Sequence, residues 1–105
     1  MNKIALLNDA FRTTLSGGKV MMTSGVDELP ACVKAEALVQ VAMFSKFSAD
    51  NDPYDEHDFG SFDLVGRKFY WKIDYYDKTL RYGSEDPSDP ECTTRVLTLM
   101  LAIEY

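Results

Sequence analysis

Lys68-Phe69-Tyr70-Trp71-Lys72-Ile73-Asp74-Tyr75-Tyr76 is the stretch whose reading decides the fold. Phe69, Trp71, Ile73 and Tyr75 alternate with Lys68, Tyr70, Lys72, Asp74 and Tyr76. Successive strand side chains point to opposite faces, so this period of two predicts a β-strand over 68–76 with one buried face. Core packing accounts for Phe69, Trp71 and Tyr75, because large aromatics carry much of a core's buried area. Tyr70 and Tyr76 share the other face with Lys68, Lys72 and Asp74, where a tyrosine suits a partner surface. A platform for stacking nucleobases is the competing reading of the same aromatics.

Working back from this strand, Val65-Gly66-Arg67 reads as a hairpin turn and 57–64 as its partner strand. Phe59 falls on one parity and Phe62 and Leu64 on the other, which predicts a bulge near Gly60. Residues 48–56 are polar, carry Pro53 and read as a loop. Pro30 opens a helix whose face is Val33, Ala37, Val41 and Phe44, with Glu36 and Gln40 together on another side. At the start, Ile4, Leu7, Phe11 and Leu15 recur at helical spacing over 3–15, and Gly17-Gly18 ends that helix. Residues 19–23 read as a short strand and Ser24-Gly25 as a turn.

Working forward, 83–90 is a Pro-containing loop, and Asp89-Pro90 has the form of a helix start. Val96, Met100 and Ile103 make a helical stripe beyond it. Leu97, Leu99, Leu101 and Ile103 fit a buried strand as well, but the start signal and the length favour a helix. The expected fold is α+β: a small antiparallel sheet of about three strands with helices packed on one face. At 105 residues the chain suits one domain, 1–105.

Composition narrows the function. An apolar share of 46% is that of an ordinary globular protein rather than a disordered one. The apolar stretches are too short to span a membrane, and the segment after Lys3 is too short for a secretion signal. The expected location is the cytoplasm, where Cys32 and Cys92 stay as thiols. With 17 acids against 11 bases the net charge is −6, so free nucleic acid is a poor partner and a basic protein surface a better one. The acids cluster. Asp50, Asp52, Asp55, Glu56, Asp58 and Asp63 lie within 50–63, and Glu85, Asp86, Asp89 and Glu91 within 84–91, neither segment holding a Lys or Arg.

The densest polar cluster is Asn51-Asp52-Pro53-Tyr54-Asp55-Glu56-His57-Asp58-Phe59-Gly60. Carboxylates beside the single histidine suit a divalent metal or acid–base work by Glu56, His57 and Asp58. Extended backbone over 56–58 opposes this, since Glu56 and Asp58 then share a face and His57 takes the other. The calcium-loop template lacks its Gly and its distal Glu. The plainer reading is a rigid acidic turn whose Asp side chains bond their own backbone. Cys32 and Cys92 lack a CxxC spacing or a neighbouring base, and no phosphate loop, dinucleotide fingerprint or serine elbow occurs. No cofactor and no catalytic residue is expected.

The strings NDAFR (8–12), NDPYDEHDFG (51–60), WKIDYYD (71–77) and GSEDPSDPECTTRVLTLMLAIEY (83–105) resemble those of an uncharacterised bacterial family. It is a domain-of-unknown-function family found in alphaproteobacterial genomes and mobile elements, and the likeness runs from about Asn8 to Tyr105. The resemblance implies a context, small accessory proteins of plasmids and prophages, and no reaction or cofactor. In size and charge such proteins are similar to anti-CRISPR and anti-restriction inhibitors. The resulting expectation is a non-enzymatic acidic protein that blocks a basic nucleic-acid-binding surface, possible effectors being of the CRISPR or restriction type. Its expected contact residues are Asp50, Asp52, Asp55, Glu56, Asp58, Tyr70, Tyr76, Glu85 and Asp86. The alternatives are a small metal-dependent or acid–base enzyme, and an oligomeric accessory protein joined through Tyr70, Tyr76 and the last helix.

Overall fold

The computed structural model describes residues 2–105. Its elements are α1 (Lys3–Thr14), β1 (Lys19–Met22), α2 (Ser24–Asp27), α3 (Ala31–Met43), β2 (Phe59–Leu64), β3 (Arg67–Tyr76) and β4 (Thr94–Leu101), closed by a 3-10 turn at Ala102–Glu104. The four strands form one sheet in the order β1-β4-β3-β2. β2 and β3 pair antiparallel, as do β3 and β4, while β1 lies parallel to β4. The architecture is the expected α+β, with one strand more than expected and a mixed rather than purely antiparallel sheet.

The extra strand is the segment expected to be the last helix. Asp89 does start a turn: its Oδ1 accepts from the Glu91 N–H at 2.9 Å and its carbonyl from the Cys92 N–H at 3.2 Å. The turn stops there, and the chain runs on as β4, paired on both edges. A strand in the middle of a sheet buries side chains on both faces and reads as a near-continuous apolar run, which carries no clean period. Leu97, Leu99 and Leu101 face the helices, and Met100 is buried on the opposite side.

Gly60 is not at a bulge. The register runs unbroken from Phe59↔Lys72 to Leu64↔Arg67. A Cβ at Gly60 would lie 2.5 Å from Trp71 Nε1, so the glycine makes room for the indole on the core face. Phe62 and Leu64 follow it on that face, stacking on and around Phe69. Phe59 belongs to the open face, where it meets Tyr70 and Tyr105 at 5.3 and 5.9 Å between ring centroids. The segment at Ser24-Gly25, expected as a turn, is the short helix α2, whose Val26 enters the core.

Helix α3 and its N-terminal proline match the expectation, with Ala37 and Val41 buried and Gln40 donating to Glu36 at 3.2 Å. Helix α1 is placed correctly but turned. Its buried residues are Ala5, Asn8, Phe11 and Arg12, whereas Leu6 is exposed and Ile4 and Leu7 are half-buried. Two polar side chains thus occupy the face expected to be purely apolar. The core lies between this face, α2, α3 and one side of the sheet. Among the described residues no helix is long and apolar enough to cross a membrane.

Candidate functional site

Asn8 and Arg12 are one helical turn apart, so they lie on the same face of α1. Arg12 is 4% exposed and points beneath the C-terminus of α3. Its Nη1 donates to the carbonyls of Val41, Ala42 and Phe44 at 2.7, 3.1 and 2.9 Å. A helix C-terminus leaves such carbonyls without partners and carries partial negative charge, so a guanidinium suits both needs. Arg12 Nη2 donates to Asp9 Oδ1 at 2.9 Å, and its Cζ stands 5.4 and 5.3 Å from the ring centroids of Phe47 and Trp71.

Asp9 carries the network across to the loop before β2. Its Oδ2 lies 2.9 Å from His57 Nδ1. The imidazole stacks on Phe47 with centroids 4.0 Å apart and planes 1° from parallel. On its other side, His57 Nε2 faces Asp55 Oδ1 at 3.5 Å and Asp52 Oδ2 at 3.8 Å. Asp52 is the loop's internal post. Its Oδ1 accepts from the backbone N–H groups of Glu56 and His57 at 2.9 and 3.1 Å, and its side chain is 2% exposed. Asp55 and His57 both have positive φ, 55° and 57°, which curls the chain around that carboxylate. The backbone over 56–58 is therefore not the extended segment on which the sequence argument against a shared site rested.

A second polar group lies alongside. Tyr75 donates its phenol hydrogen to Glu56 Oε1 at 2.7 Å and accepts from Asn8 Nδ2 at 2.8 Å. Burial first, and then the bond to Glu56, push the phenol above its ordinary value. Asn8 Nδ2 also donates to the Glu56 carbonyl, and Asn8 Oδ1 accepts from Arg95 Nε at 2.7 Å. Arg95 is buried, lies 5.3 Å from the Tyr75 ring centroid and reaches the Pro87 carbonyl. Half-buried Asp58 has its carboxyl pushed up by burial and then by Glu56.

The structure sorts the expected contact residues into several environments. Asp52 is buried and committed to its own loop. Glu56 and Asp58 are half-buried, Glu56 being engaged by Tyr75. Asp50, Asp55, Glu85 and Asp86 are exposed. Tyr70 and Tyr76 are half-buried on the open face of the sheet. His57 is drawn to Asp52, Asp55 and Asp9, while Glu56 turns to Tyr75, so Glu56, His57 and Asp58 do not converge as one catalytic group.

Asn8, Asp9, Arg12, Tyr75 and Arg95 were missed as site residues. Their signal was present in part. Asn8 and Arg12 interrupt an apolar helix pattern at a spacing of four, and Arg95 stands at the head of an apolar run. A charged residue at a core-facing position must find partners, and Arg12 and Arg95 do so, leaving only Arg12 Nε without one.

No curated protein and no solved structure matches this chain. The network just described draws on Tyr75, Arg95 and the loop of Asp52, Asp55 and His57, all within residues 22–104, and that span matches the family model described as "Protein of unknown function (DUF3768)", so the chain belongs to the DUF3768 family.

Proposed function

We propose that this chain is a non-enzymatic binding protein of a mobile element, acting in the cytoplasm on a protein with a basic surface. A CRISPR or restriction effector that holds nucleic acid in a basic channel fits that description. One observation supports this reading above the others: the two acidic segments come to the same end of the sheet. The loop before β2 is tied to Asn8 through the Glu56 carbonyl. The loop before β4 is tied to the same asparagine through Pro87 and Arg95. Acids some thirty residues apart in sequence thus come to one end, where Asp55, Glu85, Asp86 and Glu91 are exposed, with Lys78 lining the same hollow as Glu85 and Glu91 and Lys3 near Asp86. A contiguous acidic surface raises the local potential and the association rate more than scattered charges do.

The test is charge reversal measured against salt. Glu85, Asp86 and Glu91 are changed to Lys together, and Glu28 and Glu36 serve as the control pair. Glu28 lies at the opposite end, beside Arg67 and Glu104. Binding to a captured basic partner should fall at least about tenfold for the first set and little for the second. Raising the salt from 50 to 200 mM should weaken the parent complex, because exposed charges are screened over about 10 Å at 0.1 M. Equal binding by parent and triple variant, with no salt dependence, would remove the acidic end from the interface and leave Tyr70 and Tyr76 as its next candidates.

A further inference from the structure

Asp52 Oδ2 is buried and has no hydrogen-bond partner. The oxygen cannot simply swing out to water, because Oδ1 of the same carboxylate is pinned by two backbone N–H groups. A desolvated carboxylate oxygen with no partner is costly, and such a group in a folded protein calls for an explanation. This oxygen points at His57 Nε2, 3.8 Å away, and Asp55 Oδ1 closes the group at 3.5 Å from the same nitrogen. One atom from each of the three side chains lies within 4.8 Å of the others.

The imidazole is oriented for this from behind. Asp9 holds Nδ1 at 2.9 Å, and Phe47 fixes the ring plane by stacking. A neutral histidine whose Nδ1–H is given to a carboxylate presents the Nε2 lone pair on its far side. This is the arrangement by which outer carboxylates orient metal-binding histidines. Asp9 is in turn oriented by Arg12.

We propose that Asp52 Oδ2, Asp55 Oδ1 and His57 Nε2 bind one divalent transition-metal cation, with zinc as the best-fitting probe. One imidazole and two carboxylates suit zinc or manganese, whereas calcium and magnesium prefer oxygen alone. Tetrahedral zinc bonds of about 2.0–2.1 Å place ligand atoms about 3.3 Å apart. The two separations from Nε2 need to close by only a few tenths of an ångström to meet that. Asp55 is the ligand free to move, its side chain being 71% exposed. With Asp52 buried and His57 half-buried, the ion ties the turns of the loop 52–57 to one another, α1 joining only through Asp9 behind the imidazole, and leaves one coordination position toward solvent on the Asp55 side. The role is that of a clamp. It is independent of the acidic-surface reading, since binding is measured on the isolated chain.

The experiment uses the full chain, stripped of metal with a chelator, and titrates zinc, manganese, magnesium and calcium separately. Calorimetry should give one zinc per chain, and zinc at a hundredfold excess over its Kd should raise Tm by about 10 °C. Magnesium and calcium should leave Tm unchanged. Asp55→Asn alters an exposed side chain and keeps the fold, and it should weaken zinc at least about tenfold; Asp9→Asn should do so by about 10–100-fold through the histidine. His57→Gln should abolish the one-to-one event, so zinc retained in that variant would assign binding to the thiols Cys32 or Cys92 and overturn the site. The nitrogen NMR spectrum of the single histidine gives a readout that is separate from stability. Nε2 should shift on adding zinc while Nδ1 keeps its proton. If neither zinc nor manganese binds, and Nε2 responds only to pH, the cluster is an imidazolium held by three carboxylates and the proposal is wrong.

Discussion

The loops 48–58 and 77–91 look alike in sequence, both acidic and both containing proline, yet they use their carboxylates in opposite ways. In 77–91 each aspartate serves its own neighbours. Asp77 Oδ1 accepts from the Thr79 hydroxyl and from the N–H groups of Thr79 and Arg81. Asp86 Oδ1 accepts from the hydroxyl and N–H of Ser88. Both carboxyls are held below their ordinary value, chiefly by those serine and threonine hydroxyls, and both stay in water. In 48–58 the chain is wrapped around Asp52, and α1 supplies Asp9 to His57, with the buried Arg12 holding Asp9. A run of acids has no direction of its own. Local N–H groups meet carboxylates in both loops; the 48–58 turn faces inward because α1 holds it there through the Asp9–His57 contact.

The contrast can be broken most severely at Arg12. Arg12→Met leaves the α3 carbonyls and Asp9 without their partner while keeping much of the side-chain volume. Urea denaturation should show a loss of about 3 kcal/mol, in the range for removing one member of a buried charged pair. A loss under about 1 kcal/mol would mean that the inward loop does not depend on α1.

The direct comparison between loops comes next. Asp52→Ala removes the acceptor of two backbone N–H groups and should cost about 1–3 kcal/mol. Asp86→Ala should leave the denaturation midpoint within error, because water replaces its local bonds. Equal effects at the two positions would erase the distinction between an internal post and a solvated turn.

Tyr75 sharpens the inward side at high pH. The chain has six tyrosines, and the phenol of this one is held neutral by burial and by Glu56. A folded-state value raised above the unfolded one contributes stability that is fully present below about pH 10 and is lost as pH climbs beyond it. Spectrophotometric titration should therefore ionise Tyr75 last, together with unfolding. In Tyr75→Phe that alkaline loss should be shallower.

The smallest effect belongs to the outward loop in acid. Lowered values at Asp77 and Asp86 contribute stability above their ordinary 3.8, and it fades as pH falls through the folded-state values. Replacing both by Asn should lower stability slightly at pH 7 and leave it nearly unchanged well below pH 4, so the acid limb of the stability curve becomes flatter. A loss at pH 7 as large as that of Asp52→Ala would show that these turns do more than satisfy themselves.

The sequence by itself determined β3, β2 and their hairpin, α3, and the extent of α1, because each rests on a local period or a local stop signal. Alternation over 68–76 needs no distant partner to be read. It also determined that acids dominate the segments before β2 and β4. Only the tertiary structure decided that Thr94–Leu101 is a strand, since a segment flanked on both edges and buried on both faces loses the period that would mark it. The same holds for Gly60, whose role is to admit Trp71 from the neighbouring strand. It holds most of all for Asp52 and His57. Whether a carboxylate faces water or a histidine depends on backbone turned into the left-handed region and on Asp9 and Arg12, some forty residues earlier in the chain. Those contacts are set by how α1 rolls on the sheet, and no spacing within the loop encodes that angle.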